Sequence, residues 1–144
     1  MMKRLGQGGF ATLEVILMVT VIGILASIAV PRFTDITARA NTAKVQSDLT
    51  TIDTAISVYN MRTGNYPSQV SDLVTSKDLA DLPTPPRGKV YMTEGTSATI
   101  KTIGNSDNYS LNSDKDKAVL DNKTAGVYYY DSSKTYSETS GGGS

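Results

Sequence analysis

Residues Phe10 to Val30 read FATLEVILMVTVIGILASIAV, an apolar run in which Glu14 is the one charged side chain. A helix rises about 1.5 Å per residue, so a run of this length spans the hydrocarbon layer of a bilayer, which is about 30 Å thick. Lys3 and Arg4 precede the run, and positive charge on that side holds the N-terminus in the cytoplasm. The sequence therefore predicts a chain that is exported or anchored in a membrane.

The composition argues against catalysis. The chain has 144 residues, with 14 basic and 14 acidic side chains and neither cysteine nor histidine. Without cysteine it forms no disulfide and no thiolate metal site, and without histidine it lacks the most common general base and metal ligand. A formal net charge of zero also disfavours nucleic-acid binding, which needs clustered Lys and Arg. We therefore expect no enzyme activity, no cofactor, no metal site and no direct nucleic-acid partner.

The apolar run can be interpreted in three ways, and Glu14 is the residue that distinguishes them. A secretory signal peptide would be cleaved at the small residues Ser27-Ile28-Ala29, and a plain transmembrane anchor would only hold an external domain. A carboxylate inside a bilayer costs about 3 kcal/mol on insertion scales, so it is expected to have a function and a partner. Neither a signal peptide nor a plain anchor supplies that partner.

A third interpretation supplies it. The segment Gly8–Glu14, GGFATLE, followed by an apolar helix, resembles the N-terminus of type IV prepilins and pseudopilins. The resemblance implies that a prepilin peptidase cuts between Gly9 and Phe10 and then methylates the new amino terminus of Phe10. Glu14 would stand at the fifth mature position, where the family has an acidic residue. The match departs at residues 11–13, Ala-Thr-Leu, where the common family form reads Thr-Leu-Ile or Thr-Leu-Val.

Cleavage would also create the partner of Glu14. The new amine of Phe10 is positively charged and lies one helical turn from the carboxylate of Glu14. In a growing filament this amine can pair with Glu14 of a neighbouring subunit, or with its own, inside an apolar bundle where an unpaired charge is heavily penalised. We expect the charge pair of Phe10 and Glu14 to set the axial register of assembly.

Gly23 and Pro31 match a glycine and a proline in the same helix of the family. Each has an ordinary explanation, because glycine permits close helix contact and proline kinks a helix. The resemblance implies that the helix loses its regular form between these positions in an assembled filament. Both residues lower the cost of opening the helical hydrogen bonds, so Gly23 and Pro31 are predicted to be sites of helix flexibility.

The predicted fold class is α+β, the pilin fold. Residues 1–9 are the predicted leader, and residues 10–33 the membrane and filament-core helix. Residues 34–62 are predicted to continue it as an amphipathic helix, whose apolar side chains recur every three or four positions at Val45, Leu49, Ile52, Ile56 and Tyr59. Residues 63–136 are predicted to form a head with an antiparallel sheet packed on this seam, and residues 137–144 a flexible Ser/Gly tail.

Within the head, alternation of apolar and polar residues predicts four short strands. They cover Lys89–Thr93, Ala98–Thr102, the vicinity of Tyr109 and Leu111, and Gly126–Asp131, with turns at Glu94-Gly95, Gly104-Asn105 and Asp121-Asn122. Before the strands, Ser68 is predicted to cap a short helix that runs to about Lys77.

Two clusters in the head have a possible chemical role. Four aspartates lie close in sequence, at Asp107, Asp114, Asp116 and Asp121. Carboxylates suit calcium, but the spacing of a known calcium loop is absent, which favours a solvated loop. The run Tyr128-Tyr129-Tyr130 is either an ordinary core contact of a sheet or a contact surface for a subunit or ligand, and the first is favoured.

These features together predict a subunit of a type IV pilus-like filament. The resemblance implies that it resides in the inner membrane as a single-pass protein with its head outside, and then polymerises with copies of itself at the cell surface. It also implies a separate assembly ATPase and a platform protein. The alternatives are a type II secretion or competence pseudopilin that forms a short pseudopilus and, more distantly, a membrane-anchored binding module.

Overall fold

The computed structural model describes residues 7–139, without the side chains of residues 7–9 and 29–33. Most of the predicted leader and the last five residues of the predicted tail lie outside this range. The elements are helices α1 (Gln7–Thr63) and α2 (Ser71–Thr75), strands β1 (Gly88–Glu94), β2 (Ser97–Ile103), β3 (Ser110–Leu111), β4 (Ala118–Val119) and β5 (Ser137–Glu138), and a 3₁₀ turn at Ala125–Val127. The predicted α+β class is confirmed. The chain divides into two compact units between Ile36 and Thr37.

The N-terminal unit is helical wherever it is described. Its segment Phe10–Ile28 has a mean hydropathy of 2.3, none of it is buried, and it is long and apolar enough to cross a membrane. Two hydroxyls in this segment bond back to the helix, from Thr20 to the carbonyl of Ile16 and from Ser27 to the carbonyl of Ile24. Internal hydrogen bonding of this kind is what an apolar surrounding requires of polar side chains.

The second unit has its core on one face of α1. Val45, Leu49, Ile52 and Ile56 are fully buried, and Tyr59 packs at the margin of the same cluster. The predicted amphipathic seam is therefore confirmed. Helix α1 ends at Thr63 because Gly64 adopts a φ of 74°, a left-handed conformation that glycine accepts without strain.

The sheets of the head are mixed rather than purely antiparallel. β1 and β2 form an antiparallel hairpin with Gly95 in its turn at a φ of 59°, as predicted, whereas β5 lies parallel to β2. β3 and β4 form a separate antiparallel pair. The predicted turn at Asp121-Asn122 is also present, because both residues have positive φ, as a tight two-residue hairpin turn requires.

Three details of the predicted head are wrong. Gly126–Asp131 is not a strand, because it begins in the 3₁₀ turn and the Tyr128 hydroxyl then bonds to the carbonyl of Leu120 instead of the backbone joining a ladder. β4 was not predicted at all. β5 lies inside the range 137–144, so Ser137 and Glu138 belong to the sheet and not to a flexible tail. A two-residue polar edge strand shows no apolar alternation from which it could be recognised.

Helix α1 covers the outer edge of β1. The backbone N–H of Tyr91 donates to the hydroxyl of Thr42 over 2.8 Å. The side-chain amide of Asn41 donates to the carbonyls of Arg87 at 3.1 Å and Lys89 at 3.3 Å. An open strand edge invites pairing with other chains, so these two polar residues, in an otherwise apolar contact between helix and sheet, close one side of the sheet.

The short helix α2 differs from its prediction. It runs from Ser71 to Thr75 with Val70 at the N-cap position and no side-chain cap. Ser68 does not cap it with its hydroxyl, and its backbone N–H donates to the carboxylate of Asp72 at 2.9 Å. The helix ends before Lys77, which adopts a left-handed φ of 64°. Asp72, inside the helix, accepts the backbone N–H groups of Ser68 and Gln69 and so holds the segment before the helix.

The left-handed conformation of Lys77 predicts a stabilising substitution. A residue with a Cβ is strained at this φ, and glycine is not, so Lys77→Gly should raise the free energy of unfolding by about 0.5–1 kcal/mol. Lys77→Ala removes the same charge but keeps the Cβ, and it should give no comparable gain. Chemical denaturation of the two variants beside the parent chain measures the difference. An equal effect of both substitutions would show that the charge, not the backbone, is responsible.

Candidate functional site

Glu14 lies at the rim of an apolar groove on the N-terminal unit. The groove has a volume of about 380 Å³ and is lined by Glu14, Leu17, Met18, Val21 and Ile22. Counted from Glu14, these positions lie three, four, seven and eight residues further on, so they share one face of the helix. No basic side chain among the described residues forms an ion pair with Glu14. The groove is therefore an apolar binding surface with one carboxylate among its lining residues.

The other predicted site residues lie on the same helix. Phe10 is 80% exposed and precedes Glu14 by four residues, about 6 Å along the helix axis. Gly9 and Pro31 are both helical in their backbone, and their side-chain surroundings lie outside the described residues. A Cβ built on Gly23 would meet nothing within 4 Å, so no packing within this chain requires a glycine there. The flexibility assigned to Gly23 and Pro31 stays a prediction.

A second surface on α1 was not anticipated from the sequence. Nine exposed or groove-lining positions of the second unit form one face without a charged side chain, which we call the hydroxyl face. They are Ala43, Gln46, Ser47, Thr50, Thr51, Thr54, Ser57, Val58 and Met61. A shallow groove of about 340 Å³ lies in its first half. The signal was present in the sequence, because serine and threonine recur there at helical spacing opposite the apolar seam.

Four of the five hydroxyls of this face, all but that of Ser47, donate to carbonyls of their own helix. Thr50 donates to the carbonyl of Gln46 at 2.8 Å, Thr51 to that of Ser47 at 2.9 Å, and Thr54 to that of Thr50 at 2.9 Å. A hydroxyl that already bonds to the turn before it presents mainly its methyl or methylene group outward. If another helix covered this face, the bonded hydroxyls would not be left as unpaired donors.

Two carboxylates on α1 hold the head. Asp48 accepts a hydrogen bond of 2.7 Å from the hydroxyl of Tyr109 and pairs with Lys44, which also reaches the carbonyl of Thr84. Asp53, on the next turn, accepts the backbone N–H of Ala118 at 2.6 Å. These contacts fasten the segments around β3 and β4, and the proline-rich loop before β1, to the helix. They fix the position of the head on the second half of α1.

Burial raises the pKa of two tyrosines in this region, Tyr109 and Tyr128. Burial raises the pKa of Tyr109 well above its ordinary value near 10, and the hydrogen bond to Asp48 raises it further. Burial also raises the pKa of Tyr128, with a smaller contribution from the negative charges of Asp121 and Asp107. Both phenols therefore stay protonated in the folded head at a pH where they would ionise in the unfolded chain.

This perturbation predicts alkaline destabilisation. A group whose pKa is raised on folding stabilises the fold at low pH and loses that contribution as the pH rises above the unfolded value. Above about pH 10 the free energy of unfolding should therefore fall by about 1.4 kcal/mol per pH unit for each of Tyr109 and Tyr128. Denaturation between pH 8 and 11.5 measures the slope. Tyr109→Phe and Tyr128→Phe should each remove about half of it, whereas an unchanged slope in both variants contradicts the assignment.

The aspartates of the head do not converge on one point. Asp107 accepts a backbone N–H three residues before it, Asp116 accepts the side-chain amide of Asn112, and Asp121 pairs with Lys101. Among the described residues no group of three or more carboxylates could hold a metal ion. Asp107 and Asp116 thus hold their own loops, and Asp121 pairs with a lysine of β2.

The three tyrosines point in different directions. Tyr128 is fully buried, and Tyr129 is 39% exposed. Tyr130 packs edge-on against Tyr91, with ring centroids 4.8 Å apart, and the guanidinium of Arg39 lies 3.8 Å from its centroid. The interpretation of this run as an ordinary core contact is confirmed for Tyr128, which belongs to the core cluster, whereas Tyr130 is half-buried outside that cluster.

Comparison with known proteins agrees with this architecture. The chain is 30% identical over 97 residues to the type II secretion system core protein G of Klebsiella michiganensis, and the alignment covers 65% of each chain. It is 29% identical over 127 residues to the protein of that name from Vibrio cholerae, and this alignment covers 88% of this chain and 85% of the other. It is 35% identical over 60 residues to the type IV narrow pilus major component PilA5 of Thermus thermophilus, and this alignment covers 42% of this chain and 52% of the other.

The alignment to the Klebsiella protein thus spans just under two thirds of that protein's length. No protein-family model and no solved structure matches the chain. The chain is thus similar both to proteins named as secretion-system components and to one named as a pilus component. These similarities agree with the resemblance of the N-terminal segment to type IV prepilins and pseudopilins.

Proposed function

We propose that this chain is a structural subunit that polymerises through its N-terminal helix into a type IV pilus-like filament. The observation that carries the proposal is the segment Phe10–Ile28, apolar and exposed along its whole length. So large an apolar surface is not stable in water and requires lipid or other copies of itself. Before assembly, lipid covers this apolar surface, and in the filament neighbouring subunits cover it. No catalytic role is part of this proposal.

Maturation prepares the subunit. A prepilin peptidase removes residues 1–9 by cutting between Gly9 and Phe10, and the amine of Phe10 is methylated. The mature subunit then consists of the core helix 10–33, the amphipathic helix 34–62 and the head that follows. Before assembly it lies in the inner membrane with the head outside. An assembly ATPase and a platform protein move subunits from the membrane into the filament.

The charge pair gives assembly its register. The amine of Phe10 docks against Glu14 of a neighbouring subunit, or against its own, with the groove beside Glu14 burying the apolar surface around it. Inside the filament core the dielectric constant is low, so a subunit displaced by one helical turn would leave both charges unpaired. Gly23 and Pro31 allow the helix to loosen locally while it adjusts to its neighbours.

A secretion pseudopilus is the second candidate. The alignment to the Vibrio cholerae core protein G covers 88% of this chain, against 42% for the Thermus pilus component. A pseudopilus subunit would use the same helix and the same charge pair but would form a short fibre beneath the cell surface. Electron microscopy of sheared surface material with an antibody to the head separates the two, because only a pilus subunit yields long extracellular fibres.

The N-terminus of the cellular protein tests the proposal. Intact mass and N-terminal sequencing of the protein from its own membranes should show a chain that begins at N-methylated Phe10. A chain that begins at Val30 would identify a signal peptide, and a chain that retains residues 1–9 would identify a plain anchor. Either result contradicts the proposed maturation.

A further inference from the structure

Three tyrosine rings of the head pack together, and we call them the tyrosine cluster: Tyr91 on β1, and Tyr130 and Tyr136 in the segment that leads to β5. The ring of Tyr91 meets the other two edge-on, with its centroid 4.8 Å from that of Tyr130 and 4.7 Å from that of Tyr136. Tyr130 and Tyr136 are instead stacked on each other, with centroids 5.5 Å apart and ring planes 15° from parallel. The described residues thus contain one stacked pair of phenols.

Exposure separates the stacked pair from the third ring. Tyr91 is only 7% exposed, whereas Tyr130 and Tyr136 are half-buried. The hydroxyl of Tyr136 lies 2.7 Å from that of Thr93 and accepts the backbone N–H of Asp131 at 2.8 Å. A small solute therefore reaches both stacked rings, while hydrogen bonds hold one of them in place.

Stacked phenols are arranged for one particular reaction. When a phenol loses an electron and its hydroxyl proton, the unpaired electron occupies π orbitals above and below the ring plane, with much of its density on the carbons ortho to the oxygen. Two such radicals join face to face, whereas an edge-on ring presents C–H bonds to its neighbour. We infer that Tyr130 and Tyr136 are a site of oxidative cross-linking, at which a one-electron oxidant couples the two rings through a carbon–carbon bond.

The coupling needs no reactant other than the oxidant. Each tyrosine gives one electron to the oxidant and one proton to water, and the two radicals pair their electrons in a bond between ortho carbons. The hydrogen on each bonded carbon then moves to the oxygen of the same ring, which restores both aromatic rings and both hydroxyls. The product lacks two hydrogen atoms, and two molecules of oxidant have each gained one electron. Because both rings belong to one chain, the coupling requires no encounter between proteins.

The new bond fastens β5 to the head. Tyr136 immediately precedes β5, a strand of two residues beside which the N–H of Thr139 donates to the carbonyl of Ile100 at 3.1 Å. The chain has no cysteine, so no disulfide can strengthen this attachment. The inference is independent of the filament proposal, because it concerns the folded head alone.

Oxidation of the full chain in detergent micelles tests this inference. Ruthenium(III) tris(bipyridine), generated by light and persulfate, is a small one-electron oxidant, and mass spectrometry of tryptic peptides identifies the product. Trypsin cuts after lysine, which leaves each ring of the tyrosine cluster on a different peptide: residues 90–101, residues 124–134 and the peptide that begins at Thr135. The main coupled product should join the second peptide to the third with the loss of two hydrogen atoms, and its yield should not depend on protein concentration.

Two variants identify the ring on the second peptide. Tyr130→Phe keeps the ring but cannot form a phenoxyl radical, so the coupled product should be lost. Tyr129→Phe is the matched control, because Tyr129 is 39% exposed, lies on the same peptide and takes part in none of the ring contacts described. Its product yield should equal that of the parent chain.

Three results would overturn the inference. The first is a coupled product that persists in Tyr130→Phe or is lost in Tyr129→Phe, since the stacked ring would then not be the partner. The second is a product that contains Tyr91, or one whose yield grows with protein concentration because it joins two chains. The third is the absence of coupled product in the parent chain after the oxidant has consumed Tyr66, which is 49% exposed and reports that the oxidant is active.

Discussion

Replacing Glu14 with alanine is expected to abolish filaments while leaving the head folded. The substitution removes the only negative charge of the segment Phe10–Ile28, so the amine of a docking subunit would enter an apolar core without a partner. Loss of one member of a buried ion pair costs about 3–5 kcal/mol because the other charge stays buried. Applied to every subunit of a fibre, a cost of this size should reduce filament yield below detection. Sheared filaments quantified by immunoblot measure it.

Two controls make the result specific. Leu17→Ala trims the same groove without touching the charge, and it should reduce filament yield far less than Glu14→Ala. Thermal denaturation of the head should be unchanged in both variants, because Glu14 and Leu17 lie in the N-terminal unit and the core of the head lies in the second. Normal filament yield in Glu14→Ala would show that the charge pair does not direct assembly. Intermediate assembly in Glu14→Gln would indicate that a hydrogen bond replaces part of the ion pair.

The features that periodicity encodes were accessible from the sequence. The apolar run and the seam of Val45, Leu49, Ile52 and Ile56 follow from the helical repeat, since each residue needs only its neighbours three and four places away to define a face. The end of α1 was similarly local, because Gly64 alone supplies the left-handed turn. These elements depend on short-range pattern, and the structure has them where they were predicted.

The missed features depend on contacts between distant parts of the chain. Asp48 and Tyr109 are 61 residues apart, and nothing in the sequence near either one indicates that they form a hydrogen bond. Strand β5 consists of Ser137 and Glu138, which have low strand propensity and gain their place only from the edge of β2. The sequence therefore shows where the apolar seam of α1 ends. The path of the polar segments that pack on this seam depends on individual hydrogen bonds, which the sequence does not show.

The hydroxyl face shows a different limit of sequence reasoning. Threonine is ordinary on an exposed helix surface, so the sequence alone assigns no role to Thr50 and Thr54. The structure shows that their hydroxyls are used within the helix and that no charged side chain interrupts the face between Ala43 and Met61. A surface meant to stay in water normally carries interspersed charges. A face of α1 without them is suited to contact with a second helix, which the filament proposal supplies.

Introducing a charge into the hydroxyl face is therefore expected to block assembly without unfolding the subunit. In Thr54→Lys an ammonium group replaces a hydroxyl that bonds to the carbonyl of Thr50. The residue is exposed in the isolated chain, so the free energy of unfolding should change by no more than about 0.5 kcal/mol. Packed against another helix, the same ammonium would be desolvated without a partner, at a cost of several kcal/mol. Filament yield should fall about 10-fold or more, since each 1.4 kcal/mol lost per contact is a factor of ten.

Thr54→Val is the matched control, because valine has nearly the shape of threonine and no charge. If the face packs against a neighbouring helix, the valine variant should assemble as well as the parent, since the hydroxyl was never offered to the neighbour. If the face is solvated in the filament, the lysine variant should assemble normally and the valine variant should be no better. Assembly of Thr54→Lys at parental yield would therefore remove the hydroxyl face from the interface and leave the segment Phe10–Ile28 as the sole helical contact. Failure of both variants would instead mean that the Thr54 hydroxyl itself takes part in the contact between subunits.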